Sequence, residues 1–321
     1  MEMVRVGVIG TGDVADRWLA PALREIPNAV LYSVLSRDLD RGIVFANKHG
    51  AQSAIAKHTN LENFLSDPDL NAVIIATPDA LHAEQTIRAA EFGKHVFVEK
   101  PMATCSSDAF DMIASCKQSK VKLAVGYHHR FHEGHKILRD KIISGDLGKI
   151  LHMRCHWTYD YSGQENWRAK NSVGRWFSLA ALGTHCIDLT MWFLTLPCGD
   201  IDEFPRVLTK DNEFDRDESA IITGAFDSGT TYEIFTSVLF NSKRVVEIYG
   251  TNGVAMCEWT LGPRGAGTIK INDQEIVFDI KNPYREELAD FVHAIISGSE
   301  PTVSGEVGLE NVRLLGNLAR K

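Results

Sequence analysis

Val4-Arg5-Val6-Gly7-Val8-Ile9-Gly10-Thr11-Gly12-Asp13-Val14-Ala15 is the stretch that decides how this chain reads. Val4, Val6, Val8 and Ile9 form a short apolar, β-branched run, the pattern of a buried strand. Gly10, Gly12 and Ala15 follow as a G-x-G-x-x-A turn, and Val14, Trp18, Leu19, Leu23 and Ile26 then recur at helical spacing. Strand, glycine turn and helix in that order predict a dinucleotide-binding unit. Gly10 permits a turn that a Cβ would block, Gly12 lets the backbone approach a pyrophosphate, and Ala15 lets the helix pack on the strand. The helix N-terminus then offers free N–H groups and a positive dipole end to phosphates. A glycine turn with no ligand is the competing reading of this motif by itself.

The next strand, Ala29 to Leu35, ends in Ser36-Arg37-Asp38. In a dinucleotide fold this tip meets the adenosine ribose, where an acid takes the 2′-hydroxyl of NAD and an Arg accommodates the 2′-phosphate of NADP. Ser36 and Arg37 suit a phosphate. Asp38 is placed to cap a helix beginning near Leu39. The tip therefore favours NADP(H) over NAD(H); the alternative for Arg37 is a solvated surface charge.

Beyond it the βα rhythm continues. Asp40 to His49 reads as a helix, and Ala72 to Ala76 as a strand buried on both faces, ending in Thr77-Pro78. Ala80 to Phe92 is a helix with His82 near its start, and Gly93 stops it. His95 to Val98 runs into Glu99-Lys100-Pro101, a helix follows Ser106, and Lys122 to Val125 is another strand. The pattern predicts a doubly wound parallel sheet over residues 1–125. After Gly126 one helix, Phe131 to Ser144, leads into strand-like runs at Ile150 to Tyr161, Ala220 to Phe226, Thr231 to Val238 and Val245 to Tyr249. Turn signals at Asp227-Ser228-Gly229 and Thr251-Asn252-Gly253, with a helical insertion at Thr184 to Leu194, predict a mainly antiparallel α+β domain over 126–321. Helices are expected again at Asn282 to Ser297 and Gly308 to Leu318.

Composition bounds the rest. The 321 residues carry a net charge of −8 with no dense basic run, which argues against a nucleic-acid partner. No apolar stretch reads as long enough to cross a bilayer, and the early first strand leaves no room for a signal peptide. Six scattered cysteines without C-x-x-C suggest a reducing, cytoplasmic setting.

Four patches together resemble the Gfo/Idh/MocA oxidoreductases, named for glucose–fructose oxidoreductase and inositol dehydrogenase. They are the Val4–Ala15 turn, Glu99-Lys100-Pro101, Gly126-Tyr127-His128-His129-Arg130-Phe131 and Gly183-Thr184-His185-Cys186-Ile187-Asp188. Thr77-Pro78 with His82, Trp167-Arg168 and the stretch from Asn282 to Pro301 agree with them. The resemblance implies a Rossmann domain, then an α/β domain whose open sheet often forms a dimer interface, and hydride transfer between NAD(P) and a carbon bearing a hydroxyl on a sugar, cyclitol or related polyol. It implies that Lys100 lies near the reacting carbon, that the peptide before Pro101 is cis, and that His185 is the proton-transfer partner. Trp167-Arg168 is expected at the substrate mouth. The cofactor set is Gly10, Thr11, Gly12, Asp13, Val14, Ser36, Arg37, Thr77, Pro78, His82, Glu99 and Lys100; the substrate set is Lys100, Arg168, His185 and Asp188.

The chemistry of these groups agrees. Hydride removal from an alcohol leaves a hydroxyl proton for a nearby base. Histidine suits that task unaided, whereas a lysine needs its pKa lowered. Lys100 would also hold the substrate oxygen while charge develops on it; a surface salt-bridge residue is its alternative. The pattern departs from the family at Ala181, where an Asp is common, and at Arg175-Trp176-Phe177, where glycines are usual. Asp188 either faces the substrate or is an acid in the first turn of a helix, favoured by its dipole. Trp157, Tyr159, Tyr161 and Trp176 are expected mostly to pack. His128, His129, His132 and His135 invite a metal reading, but no metal is expected. The reading that follows is an oxidoreductase on a sugar, cyclitol or related polyol or ketone, as a dimer or tetramer through the C-terminal sheet. A cofactor-binding regulator of the same fold is the alternative, and an unsaturated or bicyclic substrate reduced by NADPH is a further one.

Overall fold

The computed structural model describes residues 3–52, 60–161, 167–169, 176–202 and 204–318. The chain divides into two units, one of Met1–Tyr127 with Tyr284–Val312, the other of His128–Pro283 with Arg313–Lys321.

In the first unit, β1 (Val4–Ile9), β2 (Ala29–Leu35), β3 (Ala72–Ile75), β4 (His95–Glu99) and β5 (Leu123–Gly126) form one parallel sheet in the order β2-β1-β3-β4-β5. The β-branched runs of β1 and β3 are buried, as a sheet covered on both faces requires. Around it lie α1 (Ala20–Leu23), α2 (Leu39–His49), α3 (Leu61–Leu65), α4 (His82–Glu91) and α5 (Ser106–Gln118). The expected first helix departs from regular α geometry. A π-helical turn spans Ala15–Leu19 before α1. Pro21 lies just beyond it and has no N–H for a regular helical bond.

The C-terminal stretch differs from the sequence reading, which assigned it to the second domain. α8 (Pro283–Ser297) places Tyr284, Leu288, Phe291 and Val292 in the core of the first unit, where Phe97 and Phe291 rings lie 5.8 Å apart. Val125 N donates to Val303 O at 3.0 Å, so the chain after α8 also runs beside β5. α9 is Gly305–Asn317.

In the second unit, α6 (Glu133–Ile143) precedes β6 (Ile150–Thr158), and α7 (Thr184–Cys198) follows. Then come β7 (Arg206–Asp211), β8 (Asp217–Ala225), β9 (Thr231–Ser237), β10 (Val245–Gly250), β11 (Gly253–Glu258), β12 (Thr268–Ile271) and β13 (Gln274–Glu275). They make an eight-stranded sheet in the order β13-β12-β11-β10-β6-β9-β8-β7. Only β6 and β9 pair in parallel; the other pairs are antiparallel. The turn signals at Asp227-Ser228-Gly229 and Thr251-Asn252-Gly253 join β8 to β9 and β10 to β11. Cys155, Ile222, Ile234, Ile248 and Cys257 pack on one face with α7.

One expectation is corrected here. Leu179–Cys198 is apolar and long enough, by length and composition, to cross a membrane, but 83% of that window is buried inside the protein. It is the core helix of the second unit, and its apolarity follows from burial on nearly all sides.

Candidate functional site

The first unit places its glycine turn at the C-terminal end of β1. The order β2-β1-β3 makes β1 the point where connections diverge to the two sides, and ligands of open α/β sheets bind outside such a point. Gly10 has φ +96°, and a Cβ there would stand 2.8 Å from Ala76 O. A Cβ on Gly12 would meet nothing within 4 Å, so the backbone faces open space just where the helix begins. Val14 is exposed beside it, and Asp13 pairs with Arg17 at 3.2 Å. These residues fit a dinucleotide phosphate, with the first-turn amides as donors.

At the tip of β2, Ser36 is buried, its Oγ 3.2 Å from Thr11 Oγ1. Asp38 caps α2 by accepting from Arg41 N at 2.9 Å. Arg37 is exposed, with no ion pair among the described residues. Arg41 Nη2 donates to Thr11 O at 3.3 Å, which brings a second guanidinium to this tip. Sequence alone does not mark Arg41, because its place depends on how α2 begins.

The Glu99-Lys100-Pro101 turn closes β4 on the same edge. The Lys100-Pro101 peptide is cis. Lys100 N donates to Glu99 Oε2 at 3.1 Å, and Glu99 is buried. His82 is buried too; its Nδ1 lies 3.0 Å from Pro101 O and its Nε2 2.9 Å from Thr77 O. The ring therefore braces the turn against the end of β3. Thr77 Oγ1 donates to Gln85 Oε1 at 2.6 Å. Behind the turn, Glu287 of α8 is buried, and neither carboxyl oxygen has a hydrogen-bond partner among the described residues. Burial pushes its carboxyl well above the carboxylate range, and Glu99 and Asp290 add to the push. The sequence carried a signal for it: Glu287 falls on the apolar stripe of Tyr284, Leu288 and Phe291.

The second unit presents a cluster of imidazoles. His185 is buried in the first turn of α7. Its ring centroid lies 4.9 Å from His128, 4.9 Å from His129 and 5.3 Å from Trp157. His128 and His129 sit in a short helical turn, His128–Phe131. His135 Nδ1 lies 3.0 Å from His129 O, and the rings of His132 and His135 stack at 4.3 Å. His129 is fully enclosed, and neither ring nitrogen has a partner among the described residues. Burial, followed by its histidine neighbours, holds His129 well below the ordinary imidazole range. Burial does the same to His135 and, less strongly, lowers His132. Among the described residues, no three of the His, Cys, Asp and Glu side chains have the arrangement of a metal site.

Asp188 is the clearest difference from the two readings left open by the sequence. Its Oδ1 and Oδ2 accept from Arg130 Nε at 3.0 and 2.9 Å, and Oδ1 also accepts from Arg130 Nη2 at 2.8 Å. Burial pushes the Asp188 carboxyl up and Arg130 pulls it down. The acid thus ties α7 to the turn carrying His128 and His129. Asp217 of β8 ties down the start of the same helical stretch. Its carboxylate accepts from Phe177 N at 2.6 Å, Ser178 Oγ at 2.6 Å and Leu179 N at 2.9 Å. Ala181 is buried in the π-helical turn Leu179–Gly183 that follows. Arg168 is partly buried within the short turn Trp167–Ala169. Trp157 and Trp176 are buried, while Tyr159 is 37% exposed. Arg175 lies outside the described residues.

Residues 4–127 match the model of the oxidoreductase family with an NAD-binding Rossmann fold, GFO_IDH_MocA, and residues 135–256 match the GFO/IDH/MocA C-terminal domain. The chain belongs to the GFO/IDH/MocA oxidoreductases. Among relatives of this family, 1,5-anhydro-D-fructose reductase of Ensifer adhaerens is 27% identical over 316 residues, covering 96% of this chain and 92% of its own. Myo-inositol 2-dehydrogenase of Thermotoga maritima is 26% identical, covering 99% and 96%. The fold matches a 3-ketoreductase from Actinomadura kijaniata in complex with NADP and TDP-benzene, with a TM-score of 0.90 at 24% identity over 99% of this chain and 97% of that one. This GFO/IDH/MocA protein is accordingly an enzyme with an NAD(P)-binding Rossmann unit and a mostly antiparallel second unit.

Proposed function

We propose that this oxidoreductase transfers a hydride between NADP(H) and a sugar, cyclitol or related polyol or its ketone. The observation that carries the reading is Lys100, held by a buried, braced turn on the same sheet edge as the Gly10–Gly12 cradle. When bound, the nicotinamide supplies the hydride acceptor or donor. Gly10, Thr11, Gly12, Asp13 and Val14 would hold the pyrophosphate, with Thr77, Pro78, His82 and Glu99 shaping the adjoining turns. Lys100 donates a hydrogen bond to the substrate oxygen, and His185 takes the hydroxyl proton in oxidation or returns it in reduction. His129, which burial holds well below the ordinary imidazole range, spares His185 the repulsion of a second cation from that side. Ser36, Arg37 and Arg41 favour a 2′-phosphate, because Asp38 is committed to the cap of α2. The names of the reductase and the inositol dehydrogenase among its relatives support a polyhydroxylated substrate.

The outward face of the second sheet supports self-association. Leu208, Ile221, Phe235, His156 and Val245 are successive partners in one row across five strands, with Leu208 65% and Ile221 37% exposed. A dimer through this face is part of the proposal, as are a cytoplasmic setting, which the free cysteines suit, and small-molecule substrates.

Fluorescence titration with NADPH and NADH, followed by a screen of sugars and polyols for NADP+ reduction, tests the reading. Binding and turnover support it; no binding of either dinucleotide removes it. Ala181, standing where the family often has an acid, favours a second reading, a cofactor-binding regulator, which requires NADPH binding with no turnover in either direction. Arg37→Ala should weaken NADPH far more than NADH, and equal losses would take Arg37 away from the 2′-phosphate.

A further inference from the structure

Arg244 immediately precedes β10, one residue before the Val245↔His156 pair, and so lies opposite Trp157. Its guanidinium carbon lies 5.9 Å from the ring centre of Trp157 and 5.9 Å from that of Tyr159. Trp157 is the same ring that stands 5.3 Å from His185. The guanidinium is half-buried. Nη1 donates to Leu261 O at 2.8 Å, while Nε is buried without a hydrogen-bond partner among the described residues. No carboxylate pairs with it there. Burial pulls its pKa down, and the groups that oppose this are the phenols of Tyr159 and Tyr161 rather than an acid.

A desolvated guanidinium with no counter-charge is costly, and buried charges are ordinarily paired. Its planar fork matches carboxylate and phosphate oxygens. The neighbouring strand adds a second mark. Trp259 N donates to Arg244 O at 2.9 Å, and Trp259 has φ +61° with 54% of its surface exposed. A bulky residue in the left-handed region is an outlier of the kind found at ligand clamps.

We propose that Arg244 recognises an anionic group on the substrate, so that the substrate class is a sugar or polyol bearing a carboxylate or a phosphate. This rests on the oxidoreductase reading with His185 as the proton partner, and it narrows that reading. The aromatic faces of Trp157 and Tyr159 hold the guanidinium in place, Nη1 is engaged by Leu261 O, and Nη2 is left for a charge-assisted hydrogen bond to the anion.

The test is calorimetric titration of the full chain with saturating NADP+, using glucose and galactose, their uronates and their 6-phosphates. At least one anionic sugar should bind about 10- to 100-fold tighter than its neutral parent, the span of a hydrogen bond between charged groups. Preference for the uronate identifies a carboxylate, and preference for the 6-phosphate a phosphate. Arg244→Gln should bring that ratio to within about 3-fold of one, and Arg244→Lys should keep part of it because the charge remains. NADPH titration of each variant checks that it is folded. The proposal is overturned if wild-type protein binds none of the anionic sugars more tightly than the parents, or if Arg244→Gln keeps the preference. Turnover separates the two readings. An anion preference without turnover in either direction removes the oxidoreductase reading and keeps Arg244 as an anion site, whereas turnover with no anion preference removes Arg244 alone.

Discussion

The first unit buries Glu287 behind the turn that carries Lys100, whereas the second buries His129 and His135 behind the helix that carries His185. Both units exclude water from titratable groups, yet burial drives the two kinds in opposite directions on the pH scale. A buried carboxyl is pushed toward its protonated form and a buried imidazole toward its unprotonated form, and each of those forms is neutral. The surroundings also differ. In the first unit the edge proposed for the cofactor is backbone: Gly10, Gly12 and the cis turn. In the second the site proposed for proton transfer is side chains, held by two buried carboxylates, Asp188 and Asp217. The proposed cofactor cradle is therefore a matter of chain shape, and the proposed proton chemistry a matter of which charges the core admits.

The sharpest way to break this contrast is to strip the second unit of a charge. Arg130→Met leaves Asp188 buried without its partner and should cost about 3–5 kcal/mol, read as lost amide protection in peptides of α7 and β6 while peptides of β1 and β3 stay protected. Arg130→Met with Asp188→Leu should recover most of that loss; a single variant with wild-type protection would show that the pair holds nothing. Asp217→Ala removes the carboxylate that accepts three hydrogen bonds at the start of the α7 stretch and should cost about 3 kcal/mol in denaturant unfolding. Its turnover should fall with little change in NADPH affinity, and an equal fall in affinity would mean that Asp217 does not act through the second unit.

pH separates Glu287 of the first unit from the buried imidazoles of the second by sign. The imidazoles of His129, His135 and His132 titrate below their unfolded value near 6.5, so below about pH 6.5 the unfolded chain binds more protons than the native one. Stability of the second unit should therefore be full above that pH and decline as pH falls, by up to about 1.4 kcal/mol per pH unit for each imidazole. Glu287 has the opposite slope. Its carboxyl is raised, so the first unit should lose stability as pH climbs above the ordinary carboxylate range. Glu287→Gln should remove that loss, about 1 kcal/mol or more near neutrality, and flatten exchange protection of α8 against pH. Exchange protection of α8 that falls toward acid pH as that of α7 does would break the comparison.

Much of the first unit was legible in sequence because its constraints are local. A glycine pair after β1, a continuous apolar run in β3 and a proline after Lys100 each report their own backbone, and the sheet order follows from the βα rhythm. What was not legible depends on partners far along the chain. α8 was expected with the second domain, since nothing in Tyr284, Leu288 and Phe291 says which core they enter. Asp188 was left between two readings because Arg130 is 58 residues away. Asp217 sits in a strand, and Arg244 just before one, whose neighbours only the sheet order supplies. The histidines near residue 130 were visible as a group, but their meeting with His185 required α7 to fold back onto that turn.

The most direct test of the division of labour is His185→Ala, followed by NADPH fluorescence titration and by turnover on whichever sugar or polyol the wild-type enzyme accepts. NADPH affinity should stay within about 3-fold of wild type, and the rate should be at least about 100-fold lower, the scale of a lost general base. A variant that binds NADPH as before and turns over at the wild-type rate would contradict it and move the proton chemistry off the second unit's histidines.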